Sequence, residues 1–497
     1  MKTRLIAIVT MVFAVCPGAS LAVNGSLRST DKGQRVLHVW GTDYEMGYAH
    51  GFLLGQEVVD VMGVYGLPGP MYTVQEFNDE RDFIFDTFDI DPELEDEAQG
   101  LYDGLVDAGA DLHVPSLGRD LNADDIVAFT ALRELAGLQC ATWAAWGDAT
   151  VADAEIDGQM VVAHNSDFTL VGDETTLHYA GTHGLVIAYE PSDPDRQRYV
   201  SIVFPGFLGV MAGLNESGVG MFVNRGSIVI PRANMNLDPG VVLGIYQTRK
   251  ALAARDGNDD GVNDIVDIHD HFAGVREYAP AIIQAFGPAA RTNPPSAVLE
   301  INNLVRASRL PADDPNFAPN MQLSLNWEDK LVPVRQTFHQ IRYVFDEKLI
   351  NETYGHAASI ANMWDFLDRN AGVPQLNVTF YSMIFLPEQL RVGLSLWSDF
   401  DNDPATNNVW YDFEELFAEA DDDTDDDASD DDADDDSDDD AFDDDAQDDD
   451  QADDDGAVDD DASDDDAKDD ASADDDATQA VDTTGESNED DDASCGC

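Results

Sequence analysis

Apolar residues recur at three- and four-residue spacings over 45–59, 92–108 and 124–138, which predicts three helices in the first third of the chain. Asn122 or Asp124 stands where the third helix needs a cap. Past Cys140 the texture changes to short β runs. Residues 160–163, 184–189, 198–204, 219–223 and 390–396 are bounded by Gly, Pro, Asp and Asn and predict strands. Segments 241–254, 269–286 and 334–349 return to the helical period. Helices gathered before the strands, with more between them, predict a layered α/β or α+β body over roughly residues 30–415. That length suits one large domain or two small ones.

Neither end of the chain follows this pattern. Residues 1–22 run from a basic start (Lys2, Arg4) through an apolar stretch over 5–15 to Ser20-Leu21-Ala22, the order of a bacterial-type secretory signal peptide. The apolar stretch falls short of the ~20 residues a spanning helix needs. A lipoprotein signal at Cys16 is disfavoured by the bulky Val15 before it. The expected destination is secreted, periplasmic or cell-surface, and no later segment reads as transmembrane. Over 420–497, Asp triplets alternate with Ala, Ser and Gln, and about forty acidic residues there supply more than half of the net charge of −75. Such a tail has too little apolar surface to offset chain entropy and is expected to be disordered, as a stalk or a solubilising extension. It ends in Ser494-Cys495-Gly496-Cys497, which reads as an attachment or sorting signal. The acidic balance excludes nucleic acid as a partner, since phosphate binding needs Lys and Arg.

Cys140 is the one cysteine in the body of the chain, with no local partner for a disulfide or a metal cage. It opens the run Cys140-Ala141-Thr142-Trp143-Ala144-Ala145-Trp146-Gly147-Asp148-Ala149-Thr150. Further on, His164-Asn165-Ser166-Asp167 closes an apolar Met160-Val161-Val162-Ala163 stretch. On composition alone the thiol reads either as a nucleophile or as a small buried hydrophobe.

Four segments in order carry a family likeness: Trp40 to Gly51 (Trp-Gly-Thr-Asp-Tyr-Glu-Met-Gly-Tyr-Ala-His-Gly), the Cys140 run, His164 to Asp167, and Pro205-Gly206 with Gly213-Leu214-Asn215-Glu216-Ser217-Gly218-Val219. Together they resemble the acyl-coenzyme A:6-aminopenicillanic acid acyltransferase-like family, the C45 peptidase-like group of N-terminal-nucleophile (Ntn) hydrolases. The resemblance implies an αββα four-layer sandwich. It also implies self-cleavage between Gln139 and Cys140, giving an α chain (23–139) and a β chain (140–419) that stay associated. Cys140 would then be the nucleophile. Asp167 would hold its α-amine, beside Asn165, and Asn215 would bind the oxyanion. His164 stands where the family usually carries Arg. Asn326 and Arg342 stand where relatives carry a second oxyanion Asn and a structural Arg. A free thiol near pKa ~8.5 and an α-amine near ~7.7–8.0 form a nucleophile–base pair without a separate His. The expected substrate is a small acyl amide or thioester, with no cofactor for the chemistry. Two alternatives share the sequence features: a lipid amidase or phospholipase B-like hydrolase on the same fold, and a non-catalytic calcium-bound surface protein.

A separate acidic segment fits an Asp-x-Asn-x-Asp-Gly calcium loop. Asp256, Asn258, Asp260, Asp264 and Asp267 fall at loop positions 1, 3, 5, 9 and 12, with the Val262 carbonyl at position 7 and Gly261 at the tight turn. Asp267 is shorter than the Glu usual at position 12. Any such ion is expected to be structural. Asp399, Asp401 and Asp403 form a weaker acidic group that reads as a solvated turn.

Overall fold

A computed structural model describes residues 22–65, 73–132, 140–169, 182–227, 232–237, 240–277, 280–371, 377–396 and 404–418. The expected signal peptide (but for Ala22), residue Gln139, the Asp399–Asp403 group and the acidic tail lie outside the described residues.

Two sheets form the centre. One has nine strands in the order Gly25–Ser29, Arg35–Gly41, Leu185–Pro191, Tyr199–Val203, Ala212–Asn215, Gly220–Arg225, Ala281–Phe286, Ser296–Ile301 and Arg306–Arg309. Its pairings are antiparallel except that of Arg35–Gly41 with Leu185–Pro191. The other has six strands in the order Met321–Ser324, Ala141–Ala145, Val161–Thr169, Asn377–Leu386, Arg391–Leu396 and Val409–Asp412, all antiparallel. Aromatic rings join the sheets face to face. Phe222 of the larger sheet stacks on His164 at 4.3 Å and meets Phe385 at 4.9 Å, both from the smaller sheet.

Side-chain alternation along a strand sorts the layers. Ala141, Trp143, Ala145, Val161 and Ala163 point outward into a core shared with Tyr343, Met363, Trp364, Phe366 and Leu367 of the helices Thr337–Lys348 and Ile360–Asn370. Cys140, Ala144, Met160 and Val162 join the core between the sheets. The far face of the larger sheet carries the helices Asp43–Leu54, Pro92–Asp107, Ala123–Leu132, Gly244–Ala253 and Ile265–Gly274. The chain is therefore an αββα four-layer sandwich, as the motif resemblance implies. Inner strands buried on both faces read as continuous apolar runs, which is why 184–189 and 198–204 were visible as strands. Among the described residues no helix is long and apolar enough to cross a membrane.

The structure corrects several expectations. The helix expected over 269–286 ends at Gly274, and Ala281–Phe286 is a central strand of the nine-stranded sheet. Gly274 and Pro280 break the helical period, and the run Ala-Ile-Ile-Gln-Ala-Phe satisfies a strand buried on both faces. The first third is not purely helical, because two strands precede its helices. The 45–59 helix divides at Gly55, whose φ of 48° is left-handed. Asn122 is the cap of Ala123–Leu132: its Oδ1 accepts from Asp125 N at 3.1 Å, and Asp125 Oδ2 accepts from Asn122 N at 3.0 Å.

Asp43–Leu54 and Pro92–Asp107 pack with their backbones in contact, through glycines four residues apart on each. A Cβ on Gly47 would lie 2.1 Å from Glu97 O, and one on Gly100 would lie 2.1 Å from Tyr44 O. Gly51 and Gly104 repeat the pattern one turn on. Neither backbone oxygen can yield without parting the helices. Gly100→Ala is expected to destabilise the fold by ~1–3 kcal/mol, the cost of overpacking. A urea-denaturation midpoint unchanged from wild type would contradict this contact.

Candidate active site

Cys140 sits at the head of the strand Ala141–Ala145, which is held between Val161–Thr169 and Met321–Ser324. Thr142 lies opposite His164 on one side and Ser324 on the other. Continuing these ladders to the head of the strand brings Ser166 and Asn326 level with Cys140. Antiparallel register thus gathers residues that are far apart in the chain.

The facing sheet contributes Asn224. Its Nδ2 donates to Ser324 O at 3.1 Å, and Thr142 Oγ1 lies 3.4 Å from its Oδ1. Asn326 Nδ2 donates to Arg225 O at 2.9 Å. Ser324 Oγ and Leu325 O also lie 3.4 Å from Asn224 Nδ2. His164 is buried, with Nδ1 2.8 Å from Thr142 Oγ1 and Nε2 3.1 Å from Ser166 Oγ. Burial, reinforced by the Arg342 charge, pushes its pKa down to about 3, so the ring is neutral.

Behind the strand lies a buried ion pair. Arg342 Nη2 donates to Asp167 Oδ2 at 2.6 Å, and Thr379 Oγ1 donates to Asp167 Oδ1 at 2.5 Å. Burial raises the Asp167 pKa, against the pull of Arg342 and Thr379. Cys140 is only 2% exposed. Its thiol is pushed up to about 12, by burial first and then by the Asp167 charge, while the Asp167 backbone hydrogen bond and the Arg342 charge act in the opposite sense. At neutral pH the thiol is therefore protonated.

Of the residues expected from sequence, Cys140, His164, Asp167, Asn326 and Arg342 come together here. Asn165 is adjacent, on the outward face of the strand that it shares with Asp167. Its Nδ2 donates to Leu367 O at 2.8 Å and its Oδ1 accepts from Ser382 Oγ at 2.6 Å, which fixes the helix Ile360–Asn370 on the sheet. Asn215 is not brought to the group. Its Oδ1 accepts from Ser217 N and Val219 N, and its Nδ2 donates to Leu252 O and Asn263 Oδ1. It closes a turn at the opposite end of its hairpin, roughly 15 Å along the strand from Asn224. Sequence reasoning passed over Asn224, Thr142 and Ser166. The visible sign of Asn224 was a polar residue ending an apolar buried strand.

Along 256–267, carboxylate and amide oxygens close the loop on its own backbone. Asp256 Oδ1 and Asn258 Oδ1 accept from Asp260 N, and Asp260 Oδ1 accepts from Val262 N. Asp264 and Asp267 form a capping box on the helix Ile265–Gly274. The all-oxygen donor set suits a hard cation. Among the described residues, however, no three His, Cys, Asp or Glu side chains stand together as a metal cage. Binding an ion there would require Asp264 or Asp267 to give up cap bonds.

No protein-family model matches the chain. An "Uncharacterized protein" of Archaeoglobus fulgidus is 26% identical over 221 residues, covering 39% of this chain and 33% of that protein. The match thus takes in about a third of that relative's length. Among solved structures the chain is similar to an N-acylethanolamine-hydrolyzing acid amidase ortholog of Caenorhabditis elegans, at 13% identity over 54% of this chain and 99% of that one, with a TM-score of 0.36. It is also similar to a conjugated bile acid hydrolase from Clostridium perfringens, at 10% identity over 56% and 95% with a TM-score of 0.35. A penicillin V acylase from Agrobacterium tumefaciens follows at 14% identity, 56% and 88%, with a TM-score of 0.32. These superpositions are partial, and the four-layer arrangement rests on the sheet and helix packing described above.

Asp167→Asn leaves the Arg342 guanidinium buried without its carboxylate. A loss of ~3–5 kcal/mol in unfolding free energy is expected, as for breaking one side of a buried ion pair. A loss below ~1 kcal/mol in a denaturant titration would show that the pair does not hold the site.

Proposed function

We propose that this chain is the precursor of an exported Ntn-type hydrolase that is cut between Gln139 and Cys140 and then cleaves, or transfers, the acyl group of a linear amide or thioester. The observation that supports this most is the surroundings of Cys140. Amide donors and a fixed positive charge stand around the thiol, yet the nearby side chains offer no base. Both His164 nitrogens are engaged with Thr142 and Ser166, and the ring is neutral. Asp167 is engaged with Arg342 and Thr379. A base must come from Cys140 itself, and a cut before it supplies one, the new α-amine.

In the mature site the amine takes the thiol proton, and sulfur attacks the carbonyl carbon. The negative charge that develops on oxygen is met by preorganised N–H donors, for which Asn224 and Asn326 are the best placed amides. The ammonium returns its proton to the leaving nitrogen as the C–N bond breaks. Water, or a second amine, then gives a proton to the α-amine as it attacks the thioester carbonyl; the C–S bond breaks, the acyl product leaves, and the Cys140 thiolate takes that proton back. The thiol at about 12 supports a precursor that is latent toward outside substrates; its one reaction before the cut is with the Gln139 carbonyl that precedes it in the chain.

We also infer a structural calcium role for the 256–267 loop, bought at the expense of cap bonds of Asp264 or Asp267. Its oxygen donors and the left-handed Asp259 and Gly261 support this reading.

Expressed without residues 1–22, the chain is expected to separate into two fragments by intact mass, the larger beginning at Cys140. Cys140→Ala is expected to stay whole. A wild-type chain that stays uncut and inert toward acyl amides would sink the proposal. Calcium at a hundredfold its Kd is expected to stabilise the fold by ~2.7 kcal/mol, and Asp256→Ala to abolish that gain. An unchanged melting temperature with millimolar calcium would rule the ion out.

A further inference from the structure

The ion pair behind Cys140 continues one step deeper, to a carboxylate that the chemistry above does not use. Asp346, on the helix Thr337–Lys348, and Asn370, the last residue of Ile360–Asn370, are both fully buried. Asn370 bridges the cluster. Its Oδ1 accepts from Arg342 Nη2 at 2.9 Å, and its Nδ2 donates to Asp346 Oδ1 at 2.5 Å. The same Arg342 Nη2 donates to Asp167 Oδ2. Asp346 Oδ2 is buried and has no hydrogen-bond partner among the described residues. The charged and titratable groups facing Asp346 are Arg342 on its own helix, Asp167 on the strand Val161–Thr169, and Tyr354 just past the turn Leu349–Thr353.

Two carboxylates therefore share one guanidinium where water is excluded. With both ionised, the cluster would bury a net negative charge, which costs several kcal/mol. One acid must hold a proton, and the hydrogen bonds decide which. Asp167 accepts from the Arg342 guanidinium and from the Thr379 hydroxyl, one on each oxygen. Asp346 accepts only from the neutral Asn370 amide and keeps one bare oxygen. The charged form is stabilised on Asp167 and the neutral form on Asp346.

We propose that Asp346 is a positioning residue for the Cys140 site: it is held as the neutral acid, and its proton leaves the Arg342 charge to Asp167 and the thiol. This rests on the reading of Cys140 as nucleophile. When Asp346 ionises, it competes for Arg342 and adds negative charge behind the thiol, so the nucleophile becomes harder to ionise. Burial sets that ionisation at about 7. The folded carboxyl thus lies above its ordinary 3.8, so the folded state holds a proton that the unfolded state releases. Stability falls as pH rises from about 4 to about 7, and the loss is complete above that window. Buried Glu97, also raised to about 7, acts in the same direction, so the test must be a difference.

Asp346→Asn mimics the neutral acid. Unfolding free energy measured from pH 4 to 8 for the full chain and for this variant reads the proton without any turnover. The two folding equilibrium constants are expected to diverge by about tenfold per pH unit across the window. Parallel curves would overturn the proposal. The pH dependence of Cys140 alkylation or processing is expected to lose its step near pH 7 in the variant. An unchanged step would likewise overturn it. If the chain neither processes nor turns over, the stability difference still reports on Asp346, so failure of the nucleophile reading is separable. Should Asp346→Asn not fold, infrared spectra in a Glu97→Gln background carry the test. A protonated-carboxyl band that bleaches between pH 6 and 9 is expected, and its absence would overturn the assignment.

Discussion

The Arg342–Asp167 ion pair is the interaction on which the candidate site depends. It ties a helix of the outer layer to the strand that flanks Cys140. It also sets the local field, since both charges act on the thiol and Arg342 acts on His164. Both partners are almost wholly buried, so neither solvent nor salt screens them. A buried pair of this kind adds little stability over a well-packed apolar alternative. Its value here is geometric. It fixes Asp167, and with it the backbone N–H that reaches the thiol.

A second buried ion pair holds the opposite outer layer. Arg249 is bonded to Glu97 and stacks over the Tyr189 ring at 4.4 Å, with Tyr199 and Tyr246 close by. Glu97 reaches that position because the helix carrying it lies backbone to backbone against Asp43–Leu54. The Trp40–Gly51 motif owes two of its glycines to that contact. His50, in the same motif, accepts from Gly206 N at 3.0 Å and is driven neutral by burial and Arg249. These motif residues build the scaffold beneath the larger sheet, on the side away from Cys140.

The sequence pattern conveyed the layered architecture through period and alternation, which act locally. Strands buried on both faces announced themselves as apolar runs, except where helical spacing happened to coincide, as at Ala281–Phe286. The short strand Ala141–Ala145 was seen only as a motif, because alanine and threonine carry little strand signal. The site itself was partly legible. Cys140, His164, Asp167, Asn326 and Arg342 are legible from the motifs and what they resemble. Asn215 stands out in the sequence because it lies in a Gly-rich turn within the family-like motif, whereas Asn224 carries no motif. Only the register of the facing sheet shows which one reaches Thr142. The bridging role of Asn370 had no sequence sign, since it depends on two helices meeting behind a strand.

The depth at which Cys140 is held also bears on its survival. Oxidation to sulfenic acid and disulfide exchange both proceed through an accessible thiolate. A thiol 2% exposed and pushed up to about 12 offers almost none. An unfolded chain would present Cys140 to any oxidant it met. Folding withdraws Cys140 from that chemistry. The fold is in this sense a redox shelter for the Cys140 thiol.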